Sequence, residues 1–132
     1  MFKLMWRLMV LAFLPGLAFA GSVEDEAQGC MYHDNPVEMR NCLSDVFYRR
    51  DFELDLRIAA ATSRVTASDT LDAEVMASRL ESDQMAWRLD TDARCGASDP
   101  IMRELCRLGA LKAREEALSS ELDATMRDFG WD

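Results

Sequence analysis

Two segments of this 132-residue chain repeat one arrangement of cysteine, capping residue and proline. In each segment an asparagine or aspartate stands directly before a proline, one cysteine precedes the pair, and a second cysteine follows the proline by six residues. The first segment holds Cys30, Asn35, Pro36 and Cys42, and the second holds Cys95, Asp99, Pro100 and Cys106. Asparagine and aspartate favour the N-cap of a helix and proline favours its first position, so each segment predicts a helix start with a cysteine early in the helix.

The four cysteines predict two disulfides, Cys30–Cys42 and Cys95–Cys106. An even number of cysteines in a small exported chain favours disulfides over free thiols. Each bond would tie the chain entering a helix to the second turn of that helix and would stabilise the fold by roughly 3 kcal/mol. A four-cysteine zinc site is disfavoured, because its ligand pairs usually lie two to four residues apart. Four cysteines allow three pairings, and the other two stay open at this point.

The first twenty residues have the pattern of a secretory signal peptide. A basic start precedes the thirteen residues Leu8 to Ala20, which are apolar apart from a Pro-Gly break and end in an A-x-A cleavage site. Thirteen residues are too few for a transmembrane helix, which needs about 20. We therefore expect cleavage after Ala20, no membrane anchor after that cleavage, a mobile acidic tail over residues 21–29 and one helical domain over residues 30–132.

Apolar residues recur at intervals of three and four over three segments, which predicts three α-helices and no sheet. These helices are expected from Pro36 to about Arg64, from a cap at Asp69 or Thr70 to the turn at Gly96, and from Pro100 to about Asp128. The residues expected to face inward are Leu43, Phe47, Leu54, Ile58, Ala61 and Val65, then Leu71, Val75, Leu80 and Trp87, then Ile101, Leu105, Leu108, Leu111, Leu118, Leu122 and Met126. Short connections imply antiparallel neighbours, so the predicted fold is all-α, a three-helix antiparallel up-down bundle stapled by two disulfides.

Three further features complete the predicted helices. Arg50 interrupts the apolar stripe of the first helix, and its stem is expected to lie along the stripe with the charge in water. Gly109, inside the third helix, predicts the close approach of a neighbouring helix. Gly130 predicts the end of that helix, with Trp131 folding back on its last turns.

The charge of the chain bears on its partners. Residues 21–132 contain 24 acidic and 13 basic side chains, a net charge of −11. Nucleic acid is disfavoured as a partner, because its binding depends on neutralising phosphates. A basic protein partner would be attracted. Solubility alone accounts for the charge equally well.

The order and spacing of several residues resemble the LprI-type lysozyme inhibitor family. The residues that carry the resemblance are Glu38, Met39, Cys42, Asp51 and Leu54 in the first half, and Gln84, Trp87, Asp92, Cys95, Cys106, Arg114 and Leu118 in the second. They span about residues 30–118, nearly all of the expected domain. The resemblance implies a periplasmic or secreted inhibitor of lysozyme-type muramidases, with lysozyme as the basic partner.

Gln84, Trp87 and Asp92 are interpreted as structural anchors of the helical hairpin rather than as a ligand platform. Two loops suit partner binding, because a disulfide would hold each one rigid and a preorganised loop loses less entropy on binding. The residues of these loops are Tyr32, His33 and Asp34, and Gly96, Ala97, Ser98 and Asp99. The simpler interpretation, that both loops are plain turns, is the more common one for connections of this length.

No catalytic residue, metal site or cofactor is predicted. His33 is the one histidine, and a lone loop histidine is more often a solvated turn residue than a base or a ligand. No Gly-rich phosphate loop and no nucleophile elbow occurs in the sequence. The predicted function is therefore to bind lysozyme and block its cleft. The alternative is a non-enzymatic module that mediates protein–protein contacts in the cell envelope.

Overall fold

The computed structural model describes residues 21–128, which form four α-helices and no strand. The helices are α1, Val23–Cys30, α2, Pro36–Thr66, α3, Leu71–Arg94, and α4, Pro100–Asp128. The predicted all-α class is confirmed, but the prediction of three helices is wrong because α1 was not foreseen. The expected signal peptide and the expected helix end at Gly130 and Trp131 lie outside the described residues.

Helix α1 occupies most of the segment that was expected to be a mobile tail. Its first turn is capped by Ser22, whose Oγ accepts a hydrogen bond from the Asp25 backbone at 3.2 Å. Its acidic first turn suits the positive end of a helix. Val23 and Cys30 are buried, so the helix has an inner face despite its polar composition. Docking of this face, together with the cap, orders a segment that is too short to be helical by itself.

Helix α2 follows the prediction in its start and in its core stripe. Asn35 Oδ1 accepts a hydrogen bond from the Val37 backbone at 2.8 Å, and Pro36 occupies the first position. All six residues that were expected to face inward are buried, namely Leu43, Phe47, Leu54, Ile58, Ala61 and Val65. The expectation for Arg50 is wrong, because the whole side chain is buried and its guanidinium is bonded inside the protein.

Helix α3 is capped by Thr70, whose Oγ1 accepts from the Ala73 backbone at 3.1 Å, after a turn in which Asp69 has a φ of 48°. Its inner face differs from the predicted one. The buried residues are Ala73, Ala77, Leu80, Gln84 and Thr91. Leu71 and Val75 point outward with 75% and 61% of their surface exposed, and Trp87 is only partly buried against the core. Alanines on the inner face leave room for close packing, so the larger residues are not needed there.

Helix α4 places the expected residues Leu108, Leu111, Leu118 and Leu122 in the core, with Ile101 and Leu105 packed at its margin. The prediction of a close helix approach at Gly109 is wrong. That glycine is exposed, and a Cβ built on it would meet no neighbouring atom within 4 Å.

Contacts between helices define the topology around α2, which packs against all three of the others. Asp51 of α2 is bonded to Arg88 of α3, whereas Ile58 shares a groove with Glu81, so α2 and α3 are antiparallel. Along α2 and α4, Phe47 lies against Arg107 and Arg57 bonds Ser119, so these two helices are parallel. The connections 31–35 and 95–99 therefore lie at the same end of the bundle, which we call the loop end.

Candidate functional site

Two disulfides brace the loop end. Cys30 is bonded to Cys42 and Cys95 to Cys106, with Cα atoms 5.5 Å and 5.6 Å apart, and no cysteine of the chain is free. Both predicted pairings are confirmed. In each case the bond joins the residue at the end of one helix to the second turn of the next helix. The loop between the two cysteines is thereby held at both of its ends.

The first loop, residues 31–35, presents most of its side chains to solvent. Tyr32 is 79% exposed, and Met31 beside it is 42% exposed. His33 Nδ1 lies 3.7 Å from Glu38 Oε2, at the start of α2. The backbone N–H groups of Tyr32 and His33 donate to carbonyl oxygens of the last turn of α1. The loop thus continues the turn of α1 and displays an aromatic ring.

The second loop, residues 95–99, is braced more firmly. Asp99 Oδ1 accepts a hydrogen bond from the Met102 backbone at 2.8 Å and so caps α4. The guanidinium of Arg103 donates twice to the carbonyl oxygen of Ala97, at 3.1 Å from Nε and 2.9 Å from Nη2. Gly96, Ala97 and Ser98 are exposed. The tip of the loop, Gly96 to Ser98, is therefore small and uncharged, and the loop is fixed by a disulfide, a cap and an arginine.

A polar recess adjoins the second loop. Its lining includes Tyr48, Asp92, Gly96, Arg103, Glu104 and Arg107. The Arg107 guanidinium carbon stands 4.0 Å from the Phe47 ring centroid, and Nη1 is 3.1 Å from Glu104. Burial by itself lowers the pKa of Arg107, but Tyr48 and the charges of Glu104 and Asp92 outweigh burial and raise that pKa. Arg107 is thus held charged beneath the recess.

A polar network joins three helices below the recess. Gln84 is 2% exposed, and its Oε1 accepts a hydrogen bond from Arg114 Nε at 2.9 Å, while its Nε2 lies 3.5 Å from Asp51 Oδ1. Asp51 also accepts from Arg88 Nε at 3.1 Å. Burial by itself lowers the pKa of Arg88, but hydrogen bonds to Asp51 and Asp55 raise it. The network fixes the rotation of α2, α3 and α4 relative to one another.

The model of one protein family, described as lysozyme inhibitor LprI, matches residues 28–118. The chain belongs to the LprI family. The matched stretch contains both disulfides, both loops and the network of Asp51, Gln84 and Arg114. A search of curated proteins and a search of solved structures found no match.

The LprI-type residues interpreted as anchors take different positions. Gln84 lies inside the network. Asp92 is exposed and faces Arg107 of α4 at 3.7 Å, so it connects the end of α3 to α4. Trp87 covers the margin of the core without being enclosed by it.

Arg103 and Arg107 are residues of the loop end that the sequence did not single out. The bond from Arg103 to Ala97 and the stacking of Arg107 on Phe47 both depend on the tertiary structure. Neither arginine belongs to a repeating pattern in the sequence that would have predicted these contacts. Sequence reasoning could have found Arg103 alone, because a cation four residues after an N-cap lies close to the preceding loop.

The loop end also carries exposed apolar side chains. They are Met31, Tyr32, Val37 and Met102. The carboxylates of Asp34, Glu38 and Asp99 lie in or beside the same two loops. Aromatic and apolar side chains with a polar surround are the usual composition of a protein-binding surface.

Two absences characterise residues 21–128. None of their helices combines the length and the apolar character that crossing a membrane requires. Within the same range, no group of three or more histidine, cysteine, aspartate and glutamate side chains is placed to hold a metal ion.

Proposed function

We propose that this LprI-family protein is a periplasmic or secreted inhibitor of lysozyme that binds the enzyme and blocks its cleft. The observation that carries the proposal is the family match over residues 28–118, which includes the whole loop end. The role is binding rather than catalysis, and it uses no cofactor. Export by the expected signal peptide would deliver the protein to the compartment in which lysozyme attacks the cell wall.

The construction of the loop end supports binding through it. Two disulfides, two helix caps and Arg103 hold the loops in place before any partner arrives. A preorganised loop loses little conformational entropy on binding, so more of its contact energy appears as affinity. Tyr32 is an exposed aromatic residue of the type that dominates binding energy at interfaces.

The charge of the protein supports a basic partner. A net charge of −11 over residues 21–132 would steer a basic lysozyme toward the inhibitor and raise the association rate. A glycosidase cleft works with a pair of carboxylates, so an inserted segment must not place a further negative charge between them. Gly96, Ala97 and Ser98 meet this requirement because they are small and uncharged. We therefore assign insertion to the second loop, with Asp34 and Asp99 facing the basic rim.

Lysozyme-driven clearing of a bacterial cell-wall suspension tests the proposal. Purified mature protein, added at increasing molar ratio, should slow clearing until one inhibitor is present per enzyme. The effect should weaken at high salt, because salt screens the attraction between the exposed charges. Unchanged clearing at excess protein, across several classes of lysozyme, would exclude the inhibitor function.

A pair of disulfide variants tests which loop inserts. The two disulfides close segments of nearly equal length, with cysteines 12 and 11 residues apart, so their removal should destabilise the protein similarly, by about 3 kcal/mol. Cys95→Ser with Cys106→Ser should lose inhibition, whereas Cys30→Ser with Cys42→Ser should retain most of it at a temperature at which both variants are folded. The opposite ranking would assign insertion to the first loop.

The contribution of loop charge can be measured without damage to the helix cap. Asp99→Asn removes the charge but keeps a side chain that caps helices well. Together with Asp34→Asn it should slow association with lysozyme at low salt. Asp123→Asn with Asp128→Asn removes two charges from an exposed part of α4 far from the loop end and is the matched control. Equal slowing by the control would show that only the net charge matters.

A further inference from the structure

The exposed large apolar side chains outside the loop end, among residues 21–128, all belong to α2 and α3. They are Tyr48, Phe52 and Leu56 on α2, and Leu71, Val75, Met85 and Leu89 on α3. Residues four apart along a helix share one side of it, so the three on α2 form one row. The four on α3 are spaced by four, ten and four residues, which also keeps them on one side. We call the surface that carries both rows the α2–α3 face.

A shallow groove lies between α2 and α3, and Met85 of the α3 row lines it. It has a volume of about 270 Å³, and its walls include Asp55, Ala59, Glu81, Met85 and Arg88. Its floor is formed by residues of the core and of the polar network. Ala59 is a small, exposed residue of the α2 wall, so it leaves room for a partner helix to approach α2. Recognition of a helix in such a groove depends on apolar anchors spaced along the partner helix.

The charges on this face determine which sign of charge a partner must carry. Exposed carboxylates accompany the apolar rows on both helices, namely Asp45 on α2, and Glu74 and Glu81 on α3. Asp45 precedes Phe52 by two turns, Glu74 follows Leu71 by three residues and Glu81 precedes Met85 by four, so these charges lie beside the apolar rows. Arg88 is the basic side chain of the groove, and it is already bonded to Asp51 and Asp55. The face is therefore apolar and negative together.

We propose that the α2–α3 face is a docking surface for a basic amphipathic helix of a partner protein. The apolar side of that helix packs against Phe52, Met85 and Leu89. Its lysine and arginine side chains meet the carboxylates of Glu74 and Glu81. A second copy of this chain is not the occupant, because it would bring like charges to the same carboxylates. The surface is separate from the loop end, so the protein can hold this partner while its loops engage lysozyme.

A defined peptide tests the proposal. The probe is a synthetic helix of about 20 residues, roughly 30 Å long and so shorter than α3, with leucine along one side and lysine on the other. A second peptide has glutamate in place of every lysine. The lysine peptide should bind the mature protein, as measured by calorimetry, and the glutamate peptide should not. Amide chemical-shift changes on adding the lysine peptide should map to α2 and α3.

Matched surface variants decide where the peptide binds. Phe52→Ser with Leu89→Ser removes two exposed side chains from the α2–α3 face and should weaken binding by about 10-fold or more. Tyr32→Ser with Met102→Ser removes two side chains of similar exposure from the loop end and should leave the affinity unchanged. Inhibition of lysozyme should be weakened by Tyr32→Ser with Met102→Ser and left unchanged by Phe52→Ser with Leu89→Ser.

Three results would overturn the proposal. The first is no binding of the lysine peptide, and the second is equal weakening by the two double variants. The third is a dimer in sedimentation experiments that Phe52→Ser with Leu89→Ser dissociates, since a second copy would then cover the face. None of these results depends on lysozyme, so the docking surface can fail while the inhibitor function stands, and the reverse also holds.

Discussion

Arg50 is the residue for which the structure departs furthest from the sequence pattern. It lies within the apolar stripe of α2, and its guanidinium donates to the carboxylate of Glu26, to the carbonyl oxygen of Gly21 and to Glu115. Two of these acceptors belong to α1 and its approach, and one belongs to α4. The stem was predicted to be buried and the charge to reach water. The charge is buried instead, because α1, which was not predicted, supplies its partners.

Arg50→Met should lower the free energy of unfolding by about 3 kcal/mol, because it leaves the part-buried carboxylates of Glu26 and Glu115 without their partner. Arg49→Met is the matched control. Arg49 also bonds Glu26 but is half exposed, so its loss should cost less than about 1 kcal/mol. Urea denaturation followed by circular dichroism measures both. Equal losses would mean that the burial of Arg50 does not make its ion pairs more stabilising than the exposed pair of Arg49.

The ionisation of Glu26 predicts an acid-sensitive contact. Burial by itself raises the pKa of Glu26, but the hydrogen bonds from Arg49 and Arg50 outweigh burial, so the folded-state pKa lies below the ordinary value of 4.5. A lowered carboxyl pKa stabilises the folded protein above the ordinary value, and this stability is lost as pH falls through the folded-state value. Glu26→Gln should therefore destabilise the protein at pH 7, and this loss should become smaller as the pH falls below 4.5 towards 3. Thermal melting at the two pH values measures this, and a difference that does not shrink in acid would contradict it.

At the scale of elements, α2 and α4 were predictable and the register of α3 was not. A single apolar stripe dominates α2 and α4, and an Asn-Pro or Asp-Pro pair marks the start of each of these helices. Helix α3 carries two stripes. The inner one has Ala73, Ala77 and Leu80, while the outer one has Leu71, Val75 and Met85. Periodicity alone predicts that the stripe with the larger residues faces the core. The stripe with the alanines faces the core instead, because α2 and α3 pack closely. Helix α1 is short and polar, so its order depends on docking, which a local pattern does not contain.

The register of α3 can be tested by enlarging one residue of each stripe. Ala73 is fully buried, so Ala73→Leu should overpack the inner side of α3 and cost about 1–3 kcal/mol. Val75→Leu adds a methylene on the outer stripe and should change stability by less than about 0.5 kcal/mol. Chemical denaturation of both variants measures the difference. A larger loss from Val75→Leu would restore the register that was predicted from the sequence.

At the scale of the molecule, the disulfide pairing, the all-α class and the identity of the two loops were accessible from the sequence. They follow from cysteine spacing, from helix caps and from short connections. The sequence identified Asp51, Gln84 and Arg114 only as residues that carry the family resemblance, and it did not predict the polar network that they form. Their hydrogen bonds cross three helices, so the contact appears once the helices are placed. The recess at Arg107 and the α2–α3 face likewise arise from side chains far apart in the chain.

Because both disulfides lie at the loop end, the two ends of the bundle are not equally constrained. The connection 67–70 at the opposite end, with the end of α2 and the start of α3, is held by packing and hydrogen bonds without a covalent link. Local opening is easiest where fewest constraints act, so native-state fluctuations should start there and move toward the cysteines. Amide hydrogen exchange should be fastest around residues 62–75 and slowest around residues 42–54, and mass spectrometry of proteolytic peptides can measure this gradient. After reduction of the disulfides the gradient should flatten, which would show that protection at the loop end is covalent in origin.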